Sequence, residues 1–319
     1  MRVLPFLAGL LLVIAAAGLA FIVSDYRLFQ LTTVAVYAVA ILGLALVTGF
    51  NGQISLGHGA FYAVGAYTTA ILMAHYAVPY WATLPASAVI CAALGFLIGL
   101  PALRLGGLYL ALTTFALAVA TPQLLKYHAF EGWTGGVQGL VLDKPDPPPG
   151  LPLPLNADQW LYLCTLGVSA VLFLLAANLV RGRIGLAMRA VRDHPLAAEA
   201  TGIDVALLKT RTFAVSAMVT GIAGSMGAVA VGFVAPDSFT VMLSITLFVG
   251  LVVGGVASVA GPVFGGAFIA FLPNIAEDVS KAAPGAVYGV VLIAFMFLLP
   301  SGVAGGLGRL LRRAARRPA

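Results

Sequence analysis

His58 is the one histidine that falls inside an apolar run or at its edge. It sits in Asn51-Gly52-Gln53-Ile54-Ser55-Leu56-Gly57-His58-Gly59-Ala60-Phe61, a segment whose amides, hydroxyl and glycines suit neither lipid contact nor an unbroken spanning helix. Polar, non-helical backbone is tolerated at membrane depth only where protein buries it or it lines a cavity. Asn51, Gly52, Gln53, Ser55, Gly57, His58 and Gly59 are therefore read as a pathway or hinge. The structural alternative is a histidine that bonds backbone near the membrane boundary, among glycines that let helices pack closely. All eleven carboxylates fall in loops or at the ends of apolar runs, so no buried acid remains to relay protons or hold sodium. That weighs against an ion-coupled carrier, although backbone carbonyls can bind sodium. None of Lys126, Lys144, Lys209 or Lys281 lies in a G-x-x-x-x-G-K-[ST] phosphate loop, so the chain cannot hydrolyse ATP itself and energy, if used, arrives from a partner. An intramembrane enzyme would need an acid–base set, and His58 alone does not make one. Cys91 and Cys164 lie in apolar runs without metal-ligand spacing and read as small core residues; no metal, cofactor or nucleic-acid partner is expected.

The elements that must position these groups are membrane-spanning. Hydrophobic residues make up 61% of the 319 positions and charged residues 9%, far from soluble usage. Continuous apolar runs of about 20 residues predict helices rather than a barrel of short alternating strands. The expected fold is all-α, a polytopic helical bundle in one domain. Ten spans are predicted, near 4-23, 29-50, 54-74, 81-100, 107-125, 159-180, 211-234, 241-260, 262-276 and 285-300. The first run is too long for a signal-peptide core and is read as a retained span. Placing the amino terminus inside puts 13 Lys/Arg on the cytoplasmic side and 4 outside, so both termini are cytoplasmic. Five spans (4–125) then precede a long outer loop, 126–158, and five (159–300) follow it in the opposite orientation. That loop, with six prolines between Pro145 and Pro154, is expected to be extended and poor in regular structure. It is either a stiff spacer or a docking rim for an extracytoplasmic partner.

The one sizeable cytoplasmic loop, 181–211, reads as two short helices. One covers Ile184 to Arg192; the other runs from Pro195, near its first turn, to Thr201, with Gly202 as its stop. Asp204 can then cap the next span. Apolar Leu186, Met188, Val191 and Leu196 beside Arg189, Arg192 and Glu199 offer a mixed surface to a soluble subunit; equally, the arginines can serve only to set topology. In the tail, 303–319, Arg309, Arg312, Arg313, Arg316 and Arg317 recur at helical spacing, which suits an interfacial helix on anionic membrane lipid or a topogenic tail.

Asn51 to Tyr67, followed by Gly106 to Phe115, resembles the LivM-type permeases of branched-chain amino acid ABC importers. The sister LivH-type permeases are similar but carry a different sequence before their His-Gly pair. Arg183 to Arg192, with Ala197 to Ile203, looks like that family's ATPase-coupling loop, and Gly254-Gly255 and Gly261-Pro262 extend the resemblance through nearly the whole chain. On this resemblance Arg183, Gly185, Arg189, Arg192, Glu199, Gly202 and Asp204 form the coupling loop, which departs from the family pattern at His194-Pro195. The resemblance implies a companion LivH-type permease, two ATP-binding subunits and an extracytoplasmic solute-binding protein. It also implies inward transport of leucine, isoleucine and valine across the bacterial inner membrane. Related systems carry urea or short amides.

Overall fold

A computed structural model of the protein describes residues 4–102, 107–148, 155–279, 284–299 and 301–315. Each of the ten apolar stretches lies largely within a helix, which satisfies backbone polar groups inside the segment. In chain order the helices are α1 (Leu4–Leu19), α2 (Asp25–Leu44), α3 (His58–Tyr76), α4 (Tyr80–Ala102), α5 (Leu108–Leu125), α6 (His128–Thr134), α7 (Ala157–Arg181), α8 (Arg183–Asp193), α9 (Pro195–Ala200), α10 (Val205–Val231), α11 (Val241–Gly254), α12 (Gly261–Val279), α13 (Pro284–Leu298) and α14 (Gly302–Ala315). Among the described residues four helical segments are both long and apolar enough to cross a membrane: 25–50, 80–100, 157–181 and 205–231.

Two helices organise the packing. α10 lies against α2, α3 and α4, while α2 lies against α10, α12, α11 and α7. Small residues set these approaches. A Cβ added at Gly65 of α3 would overlap the Gly221 carbonyl of α10, and one at Gly266 of α12 would reach the backbone of α2 at Val34 and Ala38. Between these faces sits a buried cluster that includes Ile41, Leu44, Phe61, Phe213, Met226 and Leu247.

Several boundaries differ from the sequence reading, each for a local reason. The predicted span 211-234 begins earlier, at Val205, because Asp204 Oδ1 accepts the Leu207 amide at 2.9 Å and caps an extra turn and a half. The stretch 241-260 is helical only to Gly254. There Gly255 takes φ +119°, a turn follows, and α12 starts at Gly261. The loop 126–158 is more regular than expected. Its proline-free first half holds α6 and strand β1 (Leu140–Val141), which pairs antiparallel with β2 (Phe233–Val234). Positive φ at Gly135, Gly136 and Gly139 turns the chain between them. From Leu142 to Pro148 it is irregular, as its prolines require. Pro149, Pro152 and Pro154 lie outside the described residues, as do Arg104, Gly106, Lys281, Arg316 and Arg317.

Cys91 is fully buried, with its thiol 3.6 Å from the Phe61 carbonyl, whereas Cys164 is only partly covered. The loop 181–211 forms α8 and α9, with Pro195 opening α9 and Gly202 at φ +86° after it. The tail is helical through Ala315, and Arg309 Nη2 donates to Ser301 Oγ at 2.5 Å.

Candidate functional site

The end of α2 does not remain an α-helix. Ala45–Phe50 widens into a π-helical turn, and the chain then runs without regular structure from Gly52 to Gly57 before α3 begins at His58. Such turns arise where the ordinary ladder is interrupted. Here the free groups are met locally: Gln53 N donates to Val47 O at 3.0 Å, and Thr48 Oγ1 donates to Gln53 O at 2.9 Å. Gly49 is forced by contact, since a Cβ there would overlap the Val256 carbonyl. Gly52 is forced by conformation, at φ +73°.

Most of the segment is buried in protein, with Gly52 and Ile54 exposed. Gln53 Nε2 reaches the Lys209 carbonyl of α10 at 3.3 Å, the Leu56 amide donates to Thr114 Oγ1 of α5 at 3.0 Å, and the Gly59 amide donates to Ser244 Oγ of α11 at 2.9 Å. Three helices distant in sequence therefore converge on nine residues. Asn51 is 1% exposed, and neither its Oδ1 nor its Nδ2 has a partner among the described residues.

His58 is 1% exposed and sits at the centre of a directed chain. Ser216 Oγ of α10 donates its single proton to Gly43 O at 2.6 Å, so toward His58 it can only accept. His58 Nε2–H therefore donates to Ser216 Oγ at 2.6 Å, and Nδ1 accepts from Ser55 Oγ at 3.0 Å. A neutral imidazole satisfies every one of these bonds. Phe61 and Phe213 close the ring in edge-on contact, with centroids at 5.9 and 6.2 Å. This arrangement suits a pin between α2, α3 and α10 and leaves no group free for acid–base work.

The elbow made by α7 and α8 is built against the same segment. α8 turns Gly185, Met188 and Val191 inward, a helical stripe, and leaves Ile184 and Leu186 outside. Gly185 permits the elbow because a Cβ there would overlap the Val180 carbonyl at the end of α7. Arg189 Nη1 donates to that carbonyl at 3.0 Å. Arg192 points the other way: its Nη1 donates to Gly49 O at 3.1 Å, and its stem packs on Gly52. Its Nε holds Asp193 at 2.9 Å, which lowers that carboxyl below its usual range. Arg183, Glu199, Gly202 and Asp204 lie on the exposed side, together with Leu196, which is 83% exposed.

Thus Asn51, Gly52, Gln53, Ser55, Gly57, His58 and Gly59 form one connected unit, joined by Arg192 to α8. Arg183, Glu199 and Gly202 do not touch that unit. Sequence reading missed Gly49, Thr114, Ser216 and Ser244. Their signal was available only in part: Ser216, Thr220 and Ser225, interleaved with Gly221, Gly224 and Gly227, mark α10 as a close-packing helix, without saying which neighbour it meets.

Comparison with known proteins follows the same outline. A family model described as the permease component of a branched-chain amino acid transport system matches residues 26–299. The LivM high-affinity branched-chain amino acid transport permease of Salmonella typhimurium is 30% identical over 312 residues, covering 92% of this chain and 73% of that protein. Its namesake from Escherichia coli is 32% identical over 268 residues, 77% of this chain and 63% of the relative. A probable LivH permease of Methanocaldococcus jannaschii is 27% identical over 161 residues, about half of each chain. No solved structure matches.

Proposed function

We propose, since this chain belongs to the family of permease components of branched-chain amino acid transport systems, that it is one transmembrane subunit of an ATP-driven importer of leucine, isoleucine and valine. It would act with a companion LivH-type permease, two ATP-binding subunits and an extracytoplasmic binding protein. Both termini would lie in the cytoplasm of a bacterial cell, as the 13-to-4 distribution of basic residues favours. The ten-span reading in two opposed halves is supported by the packing. Numbering the ten apolar helices in order makes α2 and α10 counterparts, likewise α4 and α12. α10 rests on α4 as α2 rests on α12, a reciprocal arrangement expected of inverted repeats.

One observation carries the mechanism: Arg192 ties α8 to the π-turn that begins the glycine-rich segment. On the outside of the elbow, Leu186 and Leu196 expose apolar side chains on the same loop as Arg183 and Glu199, the surface a soluble ATPase would grip. Closure of the ATPases would push α8 and α9 as a rigid lever. Arg192 and Gln53 would transmit that motion to Asn51–Gly59, which acts as the hinge between α2 and α3. His58 belongs to this hinge as its pin.

The test is reconstitution in liposomes with the companion permease, ATPases and binding protein, measuring uptake of labelled leucine and of urea. Leucine uptake that requires ATP and the binding protein is expected. ATP-dependent uptake of urea alone would keep the mechanism and overturn the cargo; uptake without ATP would favour an ion-coupled carrier.

A further inference from the structure

A second site lies on the other side of the elbow. A cavity of about 380 Å³ opens between α4, α7, α8 and α10, with Leu46 of the π-turn in its wall. Its lining is aliphatic and aromatic apart from two residues, Thr212 and Arg211. Thr212 Oγ1 is already bonded to Leu208 O at 2.8 Å, so the one free polar group is the Arg211 guanidinium. Arg211 is exposed and has no ion-pair or hydrogen-bond partner among the described residues. The same holds for Arg181 and Arg183, which adjoin the lining residues Leu179 and Ile184. No carboxylate lines the cavity.

A soluble anion would leave the apolar walls unmatched, and a neutral acyl chain would leave the arginine unmatched. We infer that this cavity binds an anionic phospholipid of the inner leaflet, one acyl chain lying between α8 and α10 and the phosphate on Arg211. The inference rests on the cytoplasmic placement of α8 proposed above, since basic pockets between spanning helices on that side are suited to acidic headgroups. Met188, fully buried, is both the inward anchor of α8 and a wall of the cavity. A chain seated there would brace the lever that Arg192 connects to the hinge.

The experiment is native mass spectrometry of the purified complex after equilibration in nanodiscs of phosphatidylethanolamine mixed with an equal amount of phosphatidylglycerol. Preferential retention of phosphatidylglycerol is expected. Arg211→Gln should lower it about fivefold, the effect of one surface charge near an anionic lipid. Leu208→Trp should fill the cavity and abolish retention, while Arg211→Lys should keep most of it. Arg309→Gln, on the tail helix, should leave retention unchanged. Equal retention of the two lipids, no retained lipid, or equal losses from Arg309→Gln and Arg211→Gln would each overturn the site. So would an Ile184→Cys cross-link to the companion permease, which would mean that a protein helix occupies the cavity. Lipid retention is read by mass and uptake by label, so loss of transport with lipid retained would count against the importer and leave the site standing.

Discussion

At the scale of single residues, two kinds of constraint hold the centre of the molecule. One is space. Because a Cβ at Gly65 would overlap the Gly221 backbone, Gly65→Val must part α3 from α10. Overpacking of this kind costs about 1–3 kcal/mol, and a rigid backbone neighbour places this case near the upper end. Thermal unfolding in detergent should show it, whereas Gly167→Val, where no atom lies within 4 Å, should be nearly silent. The other constraint is polar satisfaction. Ser216→Ala removes the acceptor of His58 Nε2–H and leaves a buried donor unpaired, at a cost of about 1–3 kcal/mol. His58→Ala should cost less in Ser216→Ala protein than in the parent, a coupling that a double-mutant cycle would read. The sequence placed His58 in the right segment, but its partner lies 158 positions away, and no local pattern announces such a bond.

At the scale of elements, α8 and α9 were the most legible part of the chain. Pro195, Gly202 and Asp204 are start, stop and cap signals that act within a few residues, so local chemistry suffices to read them. What α8 touches was not legible. Arg192 could equally have faced water, and only the fold brings Gly49 to it. This separates two substitutions on one loop. Arg192→Ala should leave the ATPases bound to the purified complex and lower leucine uptake per ATP hydrolysed by about tenfold, the value of a hydrogen bond from a charged group. Leu196→Asp, on the exposed side of α9, should instead release the ATPases during purification. Identical behaviour of the two variants would remove the distinction between gripping surface and transmitting contact. The π-turn is a second element the sequence did not disclose, because its apolar residues Ala45, Leu46 and Val47 continue the pattern of α2 without a break.

At the scale of the whole molecule, the loop after α5 is joined to the chain following α10 through the β1–β2 ladder and the Lys126–Asp237 pair, at 2.5 Å. The pair is well exposed on its acidic side and is worth less than about 1 kcal/mol, so the ladder is the firmer closure. If the path alternates between its two sides, the ladder has to open. Val141→Cys with Phe233→Cys, made in a background lacking Cys91 and Cys164, places two thiols at directly paired positions. Oxidation should stop leucine uptake and reduction should restore it; full uptake by the oxidised protein would show that the outer ends do not part.

The sequence by itself determined that this chain lives in a membrane as helices, roughly where the long apolar ones run, and where the start, stop and cap signals of α8, α9 and α10 fall. Those properties depend on the solvent and on neighbours a few residues away. The tertiary structure alone decided that three distant helices converge on the glycine-rich segment, that His58 is pinned between α2 and α10, and that the elbow of α8 reaches the same point through Arg192. Each of these rests on hydrogen bonds between residues 58 to 185 positions apart, and a glycine reads the same in sequence whether it faces lipid, a turn or another helix.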